Sequence, residues 1–205
     1  MGSNYFVQKQ GRQKEDGLKL VKQYDFVTIR EHIVGLKNND YEFYDQYPNC
    51  KEVLILGGAS SGKSTLINAI NGAYLGGLGG EKIAYTAKQK GKTFQLNFYH
   101  ASHRHDRKKR QGMIVDSPGY GYTKAPVKLK QKWWRTTQKY LCYGVRINMI
   151  LLCVQAHRGI TYQDLKVINE LKYFNKAVHI VLTKVDQVKN NEDLLKVMRE
   201  TSQII

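Results

Sequence analysis

The chain has 205 residues, of which 41% are hydrophobic, and carries 33 Lys and Arg against 17 Asp and Glu, a formal net charge of +16. That length suits one α/β domain with short appendages, and the apolar share is enough for a true core. No apolar run reaches membrane-span length, which excludes a helical membrane protein, and the charge points to an anionic partner, nucleic acid before an acidic membrane surface.

Residues 1–23 are polar and basic and read as a flexible arm. Glu15 and Asp16 speak against a transit peptide, and Phe6 stands where a myristoylation start at Gly2 wants Ser or Thr. No signal peptide, prenylation cysteine or internal repeat is visible, so no membrane anchor is expected. Cys50, Cys142 and Cys153 share no metal-ligand spacing and read as reduced, mostly buried thiols in a reducing compartment. A β-rich piece, Phe26–Ile29, and a polar, aromatic link to Pro48 read as an addition on the edge of the domain.

Val53-Leu54-Ile55-Leu56 predicts a buried strand. It runs into Gly57, Gly58, Ala59, Ser60, Ser61, Gly62, Lys63, Ser64 and Thr65, and then into a helix-like Leu66–Ile70. Strand, glycine-rich loop and helix at this spacing predict a phosphate-binding P-loop. Glycines let the backbone fold around a phosphate chain with N–H groups inward, and the helix adds its positive end. Lys63 is expected to reach the β- and γ-phosphates, and Ser64 to ligate Mg²⁺. Alone, this loop says nucleoside triphosphate, and neither which base nor what task.

The Gly72–Thr93 stretch is rich in glycine and lysine and reads as a functional connection. Thr93–Tyr99 alternates like a strand, His103–Arg110 is a loop of charges, and Met113-Ile114-Val115 is a short strand, so a hairpin is expected. His100, His103 and His105 invite a metal reading. Only Asp106 could join them, which favours a solvated basic tip. Asp116-Ser117-Pro118-Gly119 ends the second strand and leads through Tyr120-Gly121-Tyr122 to a helix near 126–143, with Trp133, Tyr140 and Leu141 inward. Ile147–Val154 is a continuous apolar run, as in a central strand covered on both faces. Tyr162–Phe174 is an amphipathic helix with Leu165, Ile168 and Leu171 on its apolar side. Ala177–Leu182 is another buried strand, ended by Thr183-Lys184-Val185-Asp186, and a last helix spans about Glu192 to Ser202.

This alternation predicts an α/β fold: a mainly parallel sheet with one antiparallel strand and helices on both faces. Ligands of such sheets bind at the carboxyl ends of the strands, where Gly57, Asp116 and Thr183–Asp186 all fall. Asp116 is expected to hold Mg²⁺ through a water, and the Gly119 N–H to contact the γ-phosphate. Thr183-Lys184-x-Asp186 matches a guanine-reading pattern. Its aspartate accepts from the guanine N1–H and amino group, donors that adenine lacks on that edge, and the lysine stem packs over the base. An ATPase or kinase reading conflicts with that pattern.

With Gly91-Lys92-Thr93, Gln95–Tyr99 and Val115-Asp116-Ser117-Pro118-Gly119-Tyr120-Gly121-Tyr122 added, the chain resembles the EngB (YihA) group of the TrmE–Era–EngA–EngB–septin-like GTPases, from about Tyr24 onward. The Lys132-Trp133 pair and the Asp164 region add to the likeness. The resemblance implies a Ras-like GTPase acting in large ribosomal subunit assembly in bacteria and organelles, linked in bacteria also to cell division. It implies GTP and GDP as ligands, Mg²⁺ as cofactor, and rRNA or the large subunit as partner. The location would be the cytoplasm in bacteria, and mitochondrion, plastid or cytoplasm in eukaryotes; a monomer is expected. Thr93, beside Gly91, would be the switch threonine that completes the Mg²⁺ shell and, with Lys63 and Gly119, supports catalysis.

Three departures qualify this. The family has asparagine where Ser60 stands; in related GTPases that residue supports a potassium ion, so the resemblance does not carry potassium over. Lys90 replaces a common proline. Tyr120 stands where Ras-type enzymes carry the water-orienting glutamine, which implies slow intrinsic hydrolysis with outside stimulation. The family pattern also continues past Ile205 with a strand and a Ser-Ala-Lys-like loop, so residues 24–205 are expected to form a G domain without its last strand. The competing reading is a protein-binding GTPase switch in signalling, trafficking or cell division, which would share the GTP site.

Overall fold

The computed structural model describes residues 24–28, 50–71, 82–84, 96–103, 111–121 and 126–204. The expectations placed on Lys90, Gly91, Lys92, Thr93 and the 104–110 tip lie outside these residues. The strands are β1 (Tyr24–Thr28), β2 (Lys51–Gly57), β3 (Asn97–His103), β4 (Gln111–Asp116), β5 (Ile147–Gln155) and β6 (Ala177–Thr183). The helices are α1 (Lys63–Ile70), α2 (Val127–Tyr143), α3 (Tyr162–Leu171) and α4 (Asn191–Ser202), with 3₁₀ turns at Lys172–Phe174 and Val185–Gln187.

Among the described residues the strands form one sheet in the order β1-β3-β4-β2-β5-β6. Pairings β4–β2, β2–β5 and β5–β6 are parallel. β3 runs antiparallel to both its neighbours, so it alone opposes the sheet direction. The expected hairpin is therefore present as β3–β4.

Alternation along β2 divides the core. Leu54 and Leu56 join Tyr140 and Leu141 of α2 and Val167, Ile168 and Leu171 of α3 on one face. Ile55 joins Ile67 of α1 and Cys153 on the other. Period-two side chains on a strand covered on both sides require apolar residues at every position, which is why β2 and β5 read as unbroken apolar runs. Phe98 packs edge-to-face on Tyr140, with ring centroids 5.8 Å apart.

Two expectations are corrected. The strand read as ending at Tyr99 continues to His103, since Asn97–His103 forms the ladder and His100 and His103 are in it, not at the tip; residues 93–95 lie outside the described residues. Ala101 pairs with Phe26 on one side and Gly112 on the other. Ladder bonds need backbone, not apolar side chains, so a polar stretch between two strands stays extended. In α3 the buried positions are Asp164, Val167, Ile168 and Leu171, and Leu165 is exposed. The stripe is shifted because a carboxylate, not a leucine, occupies its first inward position.

One buried charge sits below this core. Glu52 is fully buried at the start of β2 and accepts a hydrogen bond from the Tyr140 hydroxyl, while its other oxygen has no partner among the described residues. Burial pushes its pKa up, against the opposing pulls of the Tyr140 bond and the Arg146 charge. A carboxyl with a folded pKa above its unfolded one costs nothing at low pH and destabilises increasingly as pH rises through the folded value. Glu52→Gln keeps an acceptor for Tyr140 and removes the charge. Its melting temperature is expected to exceed that of the wild type by a few degrees at neutral pH, with the gap closing toward about pH 4. A variant less stable at neutral pH would show that the pull of Arg146 outweighs burial.

Candidate nucleotide-binding site

The loop after β2 is shaped by backbone that few side chains tolerate. Ser60 adopts φ 61 and Gly62 φ 92. A Cβ on Gly57 would stand 2.7 Å from the Cys153 carbonyl oxygen, and one on Gly119 would stand 2.8 Å from Ala59 Cα. Both glycines are therefore demanded by close approach, as in loops that bring backbone to a ligand.

The neighbouring strand ends are tied to β2 or to this loop. The Ser117 hydroxyl donates to the Ile55 carbonyl at 2.8 Å. Gln155, ending β5, donates to the Ser60 carbonyl at 3.1 Å. The Thr183 hydroxyl, ending β6, lies 2.6 Å from the Ser61 carbonyl and 3.1 Å from that of Val154. Three expected motifs thus converge at one end of the sheet, where β4 and β5 leave β2 on opposite sides.

Lys63 begins α1 and is buried. Its ammonium donates to the carbonyls of Gly57 at 3.1 Å and Gly58 at 3.0 Å. Ser64 donates to Asp116 Oδ2 at 3.1 Å, while Asp116 Oδ1 is buried with no partner among the described residues. Burial pushes the Asp116 carboxyl up to about 6, against the nearby Lys63 charge and the Ser64 bond. Burial likewise pulls the Lys63 ammonium down, and Asp116 opposes that shift. An orphaned carboxylate oxygen beside a hydroxyl and a cation is a place where a hydrated divalent ion or its water would complete the set.

Lys184 adopts the left-handed conformation at φ 54 and starts the 3₁₀ turn that carries Asp186. Asp186 is exposed at the end of the sheet where the loop after β2 lies. Lys82, in the lysine-rich Gly72–Thr93 stretch, and Lys128 of α2 are exposed.

The sequence reading missed one residue here and named the region of a second without giving it a role. Asn68, fully buried on α1, donates to the Ala84 carbonyl at 2.8 Å and accepts from the amides of Ile83 at 2.9 Å and Ala84 at 2.8 Å. That clamp fixes the described piece of the Gly72–Thr93 stretch to the helix carrying Lys63. Asp164 is the second, and it binds Tyr120. Its sequence signal was the Thr161-x-x-Asp164 spacing of a capping box, which is formed in the structure.

This fold and this strand-end arrangement are those of a P-loop GTPase. Residues 52–184 match the family described as 50S ribosome-binding GTPase. The probable GTP-binding protein EngB of Acholeplasma laidlawii is 31% identical over 175 residues, covering 85% of this chain and 80% of the relative. The protein of that name from Caldanaerobacter subterraneus subsp. tengcongensis is 33% identical over 149 residues, covering 72% of this chain and 70% of the relative. Among solved structures, a probable EngB matches with TM-score 0.54 at 18% identity, covering 75% of this chain and 82% of that one. An Aquifex aeolicus Era bound to GDP and aluminium fluoride matches with TM-score 0.59 at 22% identity, covering 74% of this chain and 46% of that one. The chain belongs to the EngB family of GTP-binding proteins.

Proposed function

We propose that this GTPase is a Mg²⁺-dependent switch in assembly of the large ribosomal subunit, with slow intrinsic hydrolysis. The observation that carries the reading is the match over residues 52–184 to a family described by binding to the 50S subunit. The net charge of +16 supports it, because rRNA presents dense phosphate. Ser64 would ligate Mg²⁺ and Asp116 would hold it through a water; the orphaned Asp116 Oδ1 fits that role. The ion would offset charge on the phosphate oxygens. Lys63 and the loop amides would bind the phosphates, Gly119 would sense the γ-phosphate, Gly91 and Thr93 would close over it, and Thr183, Lys184 and Asp186 would read guanine. Tyr120 stands where Ras-type enzymes carry a glutamine, and a phenol cannot orient water in the same way, so slow intrinsic turnover follows.

The test is co-sedimentation with purified large subunits, with GDP and with a non-hydrolysable GTP analogue, across a salt series. Binding that is stronger with the analogue is expected. Equal sedimentation with both nucleotides would leave only non-specific basic attraction and overturn the switch.

A further inference from the structure

The segment after Asp116 is folded down on the phosphate loop. The Ala59 amide donates to the Tyr120 carbonyl at 2.9 Å, and the Tyr120 amide donates to the Gly57 carbonyl at 3.3 Å. Gly58 and Tyr120 form an isolated parallel bridge. This places Gly119 so close that a Cβ there would meet Ala59 N at 3.0 Å and the Lys63 ammonium at 3.1 Å.

The Tyr120 side chain is fastened from the other side. Its hydroxyl donates to Asp164 Oδ1 at 2.6 Å. Asp164 Oδ2 takes the Thr161 amide at 2.8 Å and the Thr161 hydroxyl at 2.6 Å, so the carboxylate divides its oxygens between helix cap and tyrosine. The Tyr120 ring packs edge-on against Trp134, with centroids 6.3 Å apart, and Trp134 in turn donates to Glu170 at 3.0 Å. Burial and the Asp164 charge hold the phenol protonated, so it stays a donor. Gly121 then turns the chain at φ 86 against the Gln163 side chain.

We propose that Tyr120 and Asp164 form a latch that holds this segment closed on the phosphate loop, and that a γ-phosphate, but not a diphosphate, has to release it. The inference rests on the GTP-switch reading above. A γ-phosphate bonded to both Lys63 and the Gly119 N–H must lie between them, where Gly119 now packs. Gly119 must therefore lift, and the three bonds of the next residue oppose that movement. A triphosphate binds only the fraction of molecules with the latch open, so its apparent affinity is lowered by that fraction. Tyr120 and Asp164 are thus positioning residues that set the balance between the two nucleotide states.

Tyr120→Phe keeps the ring against Trp134 and deletes the hydroxyl. It is expected to raise affinity for a non-hydrolysable GTP analogue about tenfold relative to GDP, the worth of one charge-assisted hydrogen bond. Asp164→Asn also weakens the α3 cap, so it lowers the melting temperature. It should move the affinity ratio in the same direction, and should add nothing to that ratio in a Tyr120→Phe background. In a Trp133→Phe background, Trp134 emission should change with the analogue and not with GDP. An unchanged ratio in Tyr120→Phe, or an Asp164→Asn effect that persists in full in Tyr120→Phe, would overturn the latch. Failure of the wild type to bind either guanine nucleotide would overturn the nucleotide reading and the latch together.

Discussion

Asp186→Asn is expected to lower affinity for GTP and GDP by about two to three orders of magnitude and to shift preference toward xanthine nucleotides. The aspartate would accept two hydrogen bonds from the guanine edge, each charge-assisted and worth about 1.5–3 kcal/mol, and every 1.4 kcal/mol is tenfold in affinity. An amide turns one acceptor into a donor, which faces the guanine donors badly and the 2-oxo group of xanthine well. The structure supports that use of the residue. The Thr183 hydroxyl donates to the Ser61 carbonyl, which ties the start of the Thr183–Asp186 turn to the loop after β2. Lys184 in the left-handed region then turns the chain so that Asp186 stands exposed on a short 3₁₀ turn. Because Asp186 is exposed, the ligand-free variant should melt within about 0.5 kcal/mol of the wild type. Titration calorimetry with GDP and xanthosine diphosphate gives both affinities. Unchanged GDP affinity would remove Asp186 from the base site.

The parts of the fold that were legible are those that burial writes into side chains. β2, β5 and β6 carry unbroken or nearly unbroken apolar runs because both faces are covered, and α2 and α4 were bounded in the sequence to within a residue. The three site motifs were legible for a related reason. Each uses backbone or small residues at a strand end, and Gly57 and Gly119 can be nothing larger without meeting Cys153 or Ala59. What was not legible is pairing that depends on the rest of the chain. The polar His100–His103 stretch is a strand because β1 and β4 flank it, and nothing within it says so. Leu165 was read as core because leucine usually is, whereas the inward position belongs to Asp164, whose partner Tyr120 lies 44 residues away. Asn68 likewise shows its purpose only once Ile83 and Ala84 are seen folded back on it.

Lys63→Met is expected to abolish measurable binding of both GTP and GDP while leaving the protein folded. The lysine stem fills space at the start of α1, and methionine replaces most of it without the charge. What is lost is a buried ammonium already oriented by two carbonyls, Gly57 and Gly58, at the mouth of the phosphate loop. Few groups can offset phosphate charge there; two charge-assisted bonds at about 1.5–3 kcal/mol each amount to a loss of about two to four orders of magnitude in affinity. Stability should change far less. Removing the cation leaves the Asp116 carboxylate without its nearest positive charge, but that carboxyl is already pushed up to about 6 and can take a proton in place of the lost partner. Ser64→Ala separates the metal from the phosphates. It deletes the hydroxyl beside Asp116 and leaves the ammonium, so diphosphate binding should survive while the gain that Mg²⁺ gives to triphosphate disappears. Equilibrium dialysis of both nucleotides with Mg²⁺ and with a chelator distinguishes the two variants. Mg²⁺-sensitive GTP binding retained in both would mean that neither the ammonium nor the hydroxyl meets the phosphates, and the loop would have to hold its ligand by backbone alone.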